Sequence, residues 1–214
     1  MKRTSVRSST ILAALVLALP LAGCVEMAVV GIGAAVLSHE DRRTTGAQVE
    51  DEGLELRAAN RISERHGSKV RANVTSFNRF VLLTGEVPDE ATRAAIEKLV
   101  LELPAKPRGV SNELRVAGNS SLTARSNDTF ITGKVKARFL DAQKFNALHV
   151  KVITEAATVF LMGIVTEAEA NAAVEIARTT GGVAKVVKVF EYCKGTDQVC
   201  RPREAAKPKP KAES

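Results

Sequence analysis

Val81-Leu82-Leu83-Thr84-Gly85-Glu86-Val87 and Val159-Phe160-Leu161-Met162-Gly163-Ile164-Val165 are one pattern written twice: an apolar run with a glycine at the fifth position. The residues C-terminal to each run repeat as well. An Ala-rich amphipathic stretch opens on an acidic residue, Asp89 to Leu103 in the first copy and Glu167 to Thr180 in the second, with Ala94-Ala95-Ile96-Glu97 answering Ala172-Ala173-Val174-Glu175. Glycine then intervenes, Gly109 or Gly181-Gly182, before a last alternating run, Val110 to Val116 or Val183 to Phe190. Self-similarity over this span marks two copies of one structural unit.

Working outward, each glycine-bearing run is preceded by another alternating run, Val70 to Val74 or Val150 to Val152, and before that by a stretch of helical period, about residues 48–64 and 127–140. Ser76-Phe77-Asn78-Arg79 and Thr154-Glu155-Ala156-Ala157 are short enough for hairpin turns. The expected class is α+β: two tandem αββαβ domains, each a mixed three-stranded sheet with two helices on one face. The expected boundaries are residues 47–117 and 126–192, with a linker over 118–125. Domains this small have marginal cores, so the copies are expected to pack together. Gly85 and Gly163, inside strands, read as structural: a bulge or close backbone approach, placed where a helix crosses the sheet.

The chain's start sets its compartment. Lys2, Arg3 and Arg7 precede an apolar run from Ile11 to Leu19 and then Leu21-Ala22-Gly23-Cys24, the form of a lipoprotein signal peptide over residues 1–23 with lipid on Cys24. The run is shorter than the ~20 apolar residues that span a bilayer. Val25 comes after the cysteine, where Asp would signal retention at the inner membrane, so the expected location is the outer membrane, lipid-anchored and facing the periplasm. Residues 24–46 read as a lipidated segment whose Gly31-x-Gly33 lacks the strand and third glycine of a nucleotide loop.

The formal charge of +7 belongs largely to the ends. Lys2, Arg3 and Arg7 leave with the signal, and Arg201, Arg203, Lys207, Lys209 and Lys211 lie in a Pro-bearing tail that reads as disordered. The part between is close to neutral, with its second half the more basic, which argues against nucleic acid. Cys193 and Cys200 form an even pair in an oxidising compartment and are expected to be disulfide-bonded. No metal site and no cofactor are expected, because two thiolates without His or carboxylate at metal spacing do not complete a site. His39, His66 and His149 are scattered and no Ser or Cys sits in a nucleophile context, so no enzyme is expected.

One helix offers a surface chemistry. At about 100° per residue, Ile131, Val135 and Phe139 form one apolar stripe that should face the sheet, while Phe130, Lys134, Ala137 and Arg138 form the neighbouring one. An aromatic flanked by cations suits an anionic interface, the ring entering the acyl boundary and the long basic side chains reaching phosphates. The same residues also allow Phe130 to finish the core or pack on the first domain, with Lys134 and Arg138 as solvated charges.

The repeated strand-Gly-strand-helix pattern in an exported lipoprotein resembles the BON domain of bacterial periplasmic and outer-membrane proteins, with Gly85 and Gly163 at the family's signature glycine. Ser126 to Val135 and Val159 to Glu167 look more closely like dual-BON outer-membrane lipoproteins associated with cell division and envelope stress. The resemblance implies binding of anionic phospholipid, such as phosphatidylglycerol, by the first helix of the second domain, in support of envelope integrity. Matching positions assign the contacts to Thr129, Phe130, Lys134 and Lys136, with Ser126, Asn127 and Asp128 at the helix start; Ile131 and Arg138 complete the candidate set. Where the dual-BON lipoprotein it resembles has tryptophan, this chain has Phe130, a departure that weakens the expected affinity because the indole N–H is suited to the interface. The competing expectation is an adaptor that binds an envelope protein and is held to the membrane by its lipid alone. Burial of the Phe130–Lys134–Arg138 stripe against the first domain would favour it.

Overall fold

A computed structural model describes residues 41–200. Cys24, the signal segment, His39 and the basic tail lie outside the described residues.

The first domain runs α1 (Thr45–His66), β1 (Arg71–Phe77), β2 (Phe80–Val87), α2 (Glu90–Leu101) and β3 (Gly109–Val116). The second repeats it as α3 (Leu122–Ala142), β4 (Lys151–Glu155), β5 (Thr158–Val165), α4 (Glu167–Arg178) and β6 (Lys185–Tyr192). Each glycine-bearing strand is central, antiparallel to the strand before it and parallel to the one after. The parallel pair requires a crossover, which α2 and α4 supply. The expected αββαβ order holds in both copies.

Alternation along the central strands decides what each face meets. In the first sheet Val81, Leu83 and Val87 join Leu54, Ala58 and Ile62 of α1 and Ile96, Leu99 and Val100 of α2. In the second, Val159, Leu161 and Val165 meet Ile131, Val135 and Phe139 of α3 and Ala170, Ala173 and Ile176 of α4. The opposite faces form a third apolar cluster that joins the two sheets: Phe77 and Leu82 from the first domain, Phe160, Met162 and Ile164 from the second, and buried Cys200. Cys193 and Cys200 are disulfide-bonded, so this short loop seals one part of the seam. Polar ties flank it: Arg71 pairs with Glu86 of its own sheet at 2.6 Å and with Glu155 of the other, and Arg108 reaches Glu191 at 2.8 Å.

Both hairpins are two-residue turns with positive φ at non-glycine positions, 51° and 64° at Asn78 and Arg79, 49° and 58° at Ala156 and Ala157. That is the backbone of the primed turn that matches strand twist, and it is unfavourable for residues with a Cβ. One carboxylate in each domain compensates. Asp51 of α1 accepts the backbone N–H groups of Asn78 and Arg79 at 2.7 Å and the hydroxyl of Ser76 at 2.6 Å. Asp128 of α3 accepts those of Ala156 and Ala157 at 2.8 Å.

Two expectations are corrected. The second domain's first helix begins at Leu122, capped by Ser121, whose hydroxyl accepts the N–H of Ala124. The Ser126-Asn127-Asp128 cluster, which resembles a helix start, lies a turn inside, and its buried carboxylate serves the hairpin. The linker therefore shrinks to residues 117–121. Gly85 and Gly163 do mark close backbone approaches, but to the neighbouring strand's start and to the short turn before it, not to a crossing helix: a Cβ would fall on the carbonyl oxygen of Arg71 at Gly85 and of His149 at Gly163.

Candidate functional site

The outward face of α3 is set by what its inward face does. Ile131, Val135 and Phe139 are fully buried against the second sheet, and each such side chain contributes about 1.5–3 kcal/mol. With that stripe fixed, the 100° rotation per residue puts Leu122, Phe130, Ala137 and Leu140 on the solvent side. Leu122 is 73 % exposed, Phe130 65 % and Leu140 64 %. None of this crest is covered by the first domain, which meets the second through the back faces of the sheets.

Cations flank the crest on both sides. Lys134 lies with Nζ 4.7 Å from the centroid of the Phe130 ring, and the same ammonium donates to the carbonyl oxygen of Gly181 in the loop after α4. On the other flank, Arg125 and Lys136 are exposed, and neither makes an ion pair among the described residues. Ser126 and Thr129 are exposed polar groups beside the crest, with the Thr129 hydroxyl donating to the Arg125 carbonyl at 3.1 Å, while Asn127, also exposed, lies on the Lys134 side.

Three members of the expected contact set are placed elsewhere. Ile131 is fully buried in the core and Asp128 is 6 % exposed and occupied by the hairpin, so neither is at a surface. Arg138 is half-buried and donates to the Ile176 carbonyl at 2.8 Å and the Thr180 hydroxyl at 2.7 Å, tying α3 to the end of α4. In exchange the fold supplies Leu122, Arg125 and Leu140, which sequence reading missed. The first two lie before the expected helix start, and Leu140 stood at its expected end with no partner to mark its side.

Among the described residues no group of three or more His, Cys, Asp or Glu side chains could hold a metal ion. No helix there is long and apolar enough to cross a membrane. What α3 presents is therefore an apolar ridge between cations.

The family model named BON domain matches residues 54–118 and 127–194, one match on each αββαβ unit. This chain belongs to the BON-domain family. Its similarity extends to whole proteins: it is 38 % identical over 174 residues to "Outer membrane lipoprotein DolP" of Haemophilus influenzae, covering 80 % of this chain and 90 % of that protein. It is 40 % identical over 157 residues to the "21 kDa hemolysin" of Actinobacillus pleuropneumoniae, covering 71 % and 79 %. Among solved structures, CdsD, a structural protein of the type III secretion system of Chlamydia trachomatis, aligns at 14 % identity with a TM-score of 0.27, over 67 % of this chain and 63 % of that one, a likeness that carries no argument. The chain is an outer-membrane lipoprotein of the BON family, a family not known as enzymatic.

Proposed function

We propose that the second BON domain docks on anionic phospholipid through the outward face of α3, while the lipid on Cys24 holds the protein to the periplasmic face of the outer membrane. The observation that carries this reading is the exposure of Phe130 at the centre of an apolar crest with Lys134 on one flank and Arg125 and Lys136 on the other. A crest of that kind enters the boundary between headgroups and acyl chains, and each cation near an anionic surface contributes about 1 kcal/mol. Lys134 already points toward the ring, so its ammonium lies where a phosphate above an inserted phenyl group would be met. Support of envelope integrity, including at division sites, is the role that suits a protein binding its own membrane at two points. Exposure of the crest also removes the condition under which a purely protein-binding adaptor gains, namely burial of this stripe on the first domain.

The test is binding of a fragment lacking residues 1–38, and so without the lipid anchor, to vesicles of zwitterionic lipid with and without phosphatidylglycerol, native against Phe130→Glu. Phosphatidylglycerol-dependent binding lost in the variant is the expected result. Absence of binding by the native fragment sinks the mechanism and directs the search to protein partners.

A further inference from the structure

Residues 41–43 open the described chain and touch both domains through adjacent side chains. Arg42 reaches the second domain: its guanidinium donates to both carboxylate oxygens of Glu169, at 2.7 and 2.9 Å, and to the carbonyl oxygen of Ile164 at 2.8 Å. Arg43 reaches the first: it donates to Asp51 at 2.9 Å, pairs with Asp41 at 2.7 Å and lies 4.1 Å over the ring of Phe77. Both guanidinium groups are largely buried, with 9 % and 14 % of the side chain exposed.

The partners are not arbitrary surface acids. Asp51 is the carboxylate that holds the first domain's hairpin. Glu169 closes the capping box of α4, accepting the N–H and hydroxyl of Thr166. Each arginine thus takes hold of a group already fixed in its domain, which removes much of the side-chain entropy cost that makes ordinary surface pairs weak. The two contacts also bracket the seam, because Phe77 and Ile164 belong to the one apolar cluster that joins the sheets. Burial pushes the Glu169 carboxyl up, and Arg42 together with the Thr166 amide and hydroxyl outweighs it, holding the pKa at about 2.

We propose that Arg42 and Arg43 form a clasp that ties the segment leading from the expected lipid anchor to both BON domains at once, so that the domains are held as one body where the chain enters the fold. Domains in one chain move relative to each other unless their interface is large and apolar. Here the first sheet offers the seam Phe77 and Leu82 where the second offers Phe160, Met162 and Ile164, with Arg71–Glu155 and Arg108–Glu191 beside them, and the clasp adds a tie to that contact at the point where the chain enters. A consequence, which rests on the docking reading, is that the α3 crest keeps a fixed orientation with respect to residue 41.

The experiment uses the mature chain in detergent with spin labels at Lys98→Cys and Asn171→Cys, both at exposed helix positions, and the native disulfide left intact. Pulsed dipolar spectroscopy should give a narrow distance distribution for the otherwise native chain, and one at least about twofold broader for Arg42→Ala/Arg43→Ala, as expected of domains released to move. Far-UV circular dichroism should be unchanged, and Arg93→Ala, at a pair within the first domain, should leave the width alone. Arg42→Gln, which keeps most of the side chain, should broaden it too and serves if the double variant does not fold. An unchanged width in the arginine variants overturns the clasp. The same labelled proteins on phosphatidylglycerol vesicles separate the two readings: a broadened distribution with no phosphatidylglycerol-dependent binding leaves the clasp standing and removes the docking consequence.

Discussion

The α1 and α3 helices occupy the same place in the two domains, and aligning them on their hairpin carboxylates, Asp51 and Asp128, matches them residue by residue. Leu54, Ala58 and Ile62 stand where Ile131, Val135 and Phe139 do, all buried. The outward positions diverge. Gly53 stands at the place of Phe130 and Arg57 at that of Lys134; the Arg57 guanidinium lies against Gly53, 3.0 Å from where a Cβ would be. The α1 helix carries Glu50, Asp51, Glu52, Glu55 and Glu64 against Arg57, Arg61 and Arg65, while α3 has only Asp128 and Asp141 as acids against Arg125, Lys134, Lys136 and Arg138. Duplication has kept the inward chemistry of this helix and let the outward chemistry separate, mixed in charge around Val49 and Leu56 in one copy and cationic around an aromatic in the other.

The sharpest break of that comparison is in the shared part. Gly85 and Gly163 both back onto a carbonyl oxygen, but Gly85 also has φ of +118°, so it is constrained twice. Gly85→Val should abolish folding, at more than about 4 kcal/mol, and Gly163→Val should cost somewhat less. Thermal melts followed by circular dichroism decide it. A Gly85→Val chain that melts like the native one would show that the strand can shift away from Arg71.

Next in size is exchange of the divergent position. Phe130→Glu removes about 1.5–3 kcal/mol of apolar insertion and should weaken binding to phosphatidylglycerol vesicles by roughly tenfold to a hundredfold. Gly53→Phe should not create binding by α1, because the ring would compete with the Arg57 guanidinium for its place and Glu50 and Glu52 on the same turn would meet the negative surface. Vesicle co-sedimentation of the two variants checks both halves. Binding gained by Gly53→Phe would show that an aromatic alone suffices and that charge is incidental.

Much of this is legible in the amino-acid order alone. The duplicated glycine strand, the αββαβ order and the inward stripe of α3 all come from short-range period, which is local information. The outward face is legible only in part. Ser126-Asn127-Asp128 has the composition of a helix cap, yet the cap is Ser121, because Asp128 is bound to turn amides far along the chain at Ala156 and Ala157. Arg138 reads as a free cation and is bound to the end of α4 for the same reason. The Arg42 contact to Glu169 has no local signal at all, since its partner lies in the other half of the chain. Pattern reveals which side of a helix is apolar; it does not reveal which polar groups have distant partners.

A smaller effect separates insertion from charge. Arg125→Glu/Lys136→Glu leaves the crest intact and reverses the cations on one flank, each worth about 1 kcal/mol near an anionic surface, so binding should fall by roughly tenfold or more and the remainder should lose much of its salt dependence. A charge reversal on α1, Glu52→Lys, should leave binding within about twofold, because the exposed Val49 and Leu56 beside it have no aromatic between them to insert. A gain from Glu52→Lys comparable per charge to that loss would mean that net charge, and not the α3 face, governs association.

The smallest effect is on acid stability and again compares the domains. Glu169 in the second domain has its pKa depressed to about 2 from 4.5. In the first domain, burial raises the Glu86 carboxyl and Arg71 more than offsets this, so its pKa is lowered as well. A carboxylate whose folded pKa lies below its unfolded value binds fewer protons in the native state, so it stabilises above the unfolded value, and that stability is lost as pH falls toward the folded one. For Glu169 the window runs from about 4.5 down to about 2. Glu169→Gln should therefore flatten the decline of melting temperature over that window and lower stability at neutral pH by the loss of the charged partner of Arg42. Melting curves at pH 7 and across the acid range check the sign. A variant whose acid limb matched the native one would mean that the Glu169 carboxyl is no more strongly held in the folded chain than in the unfolded one.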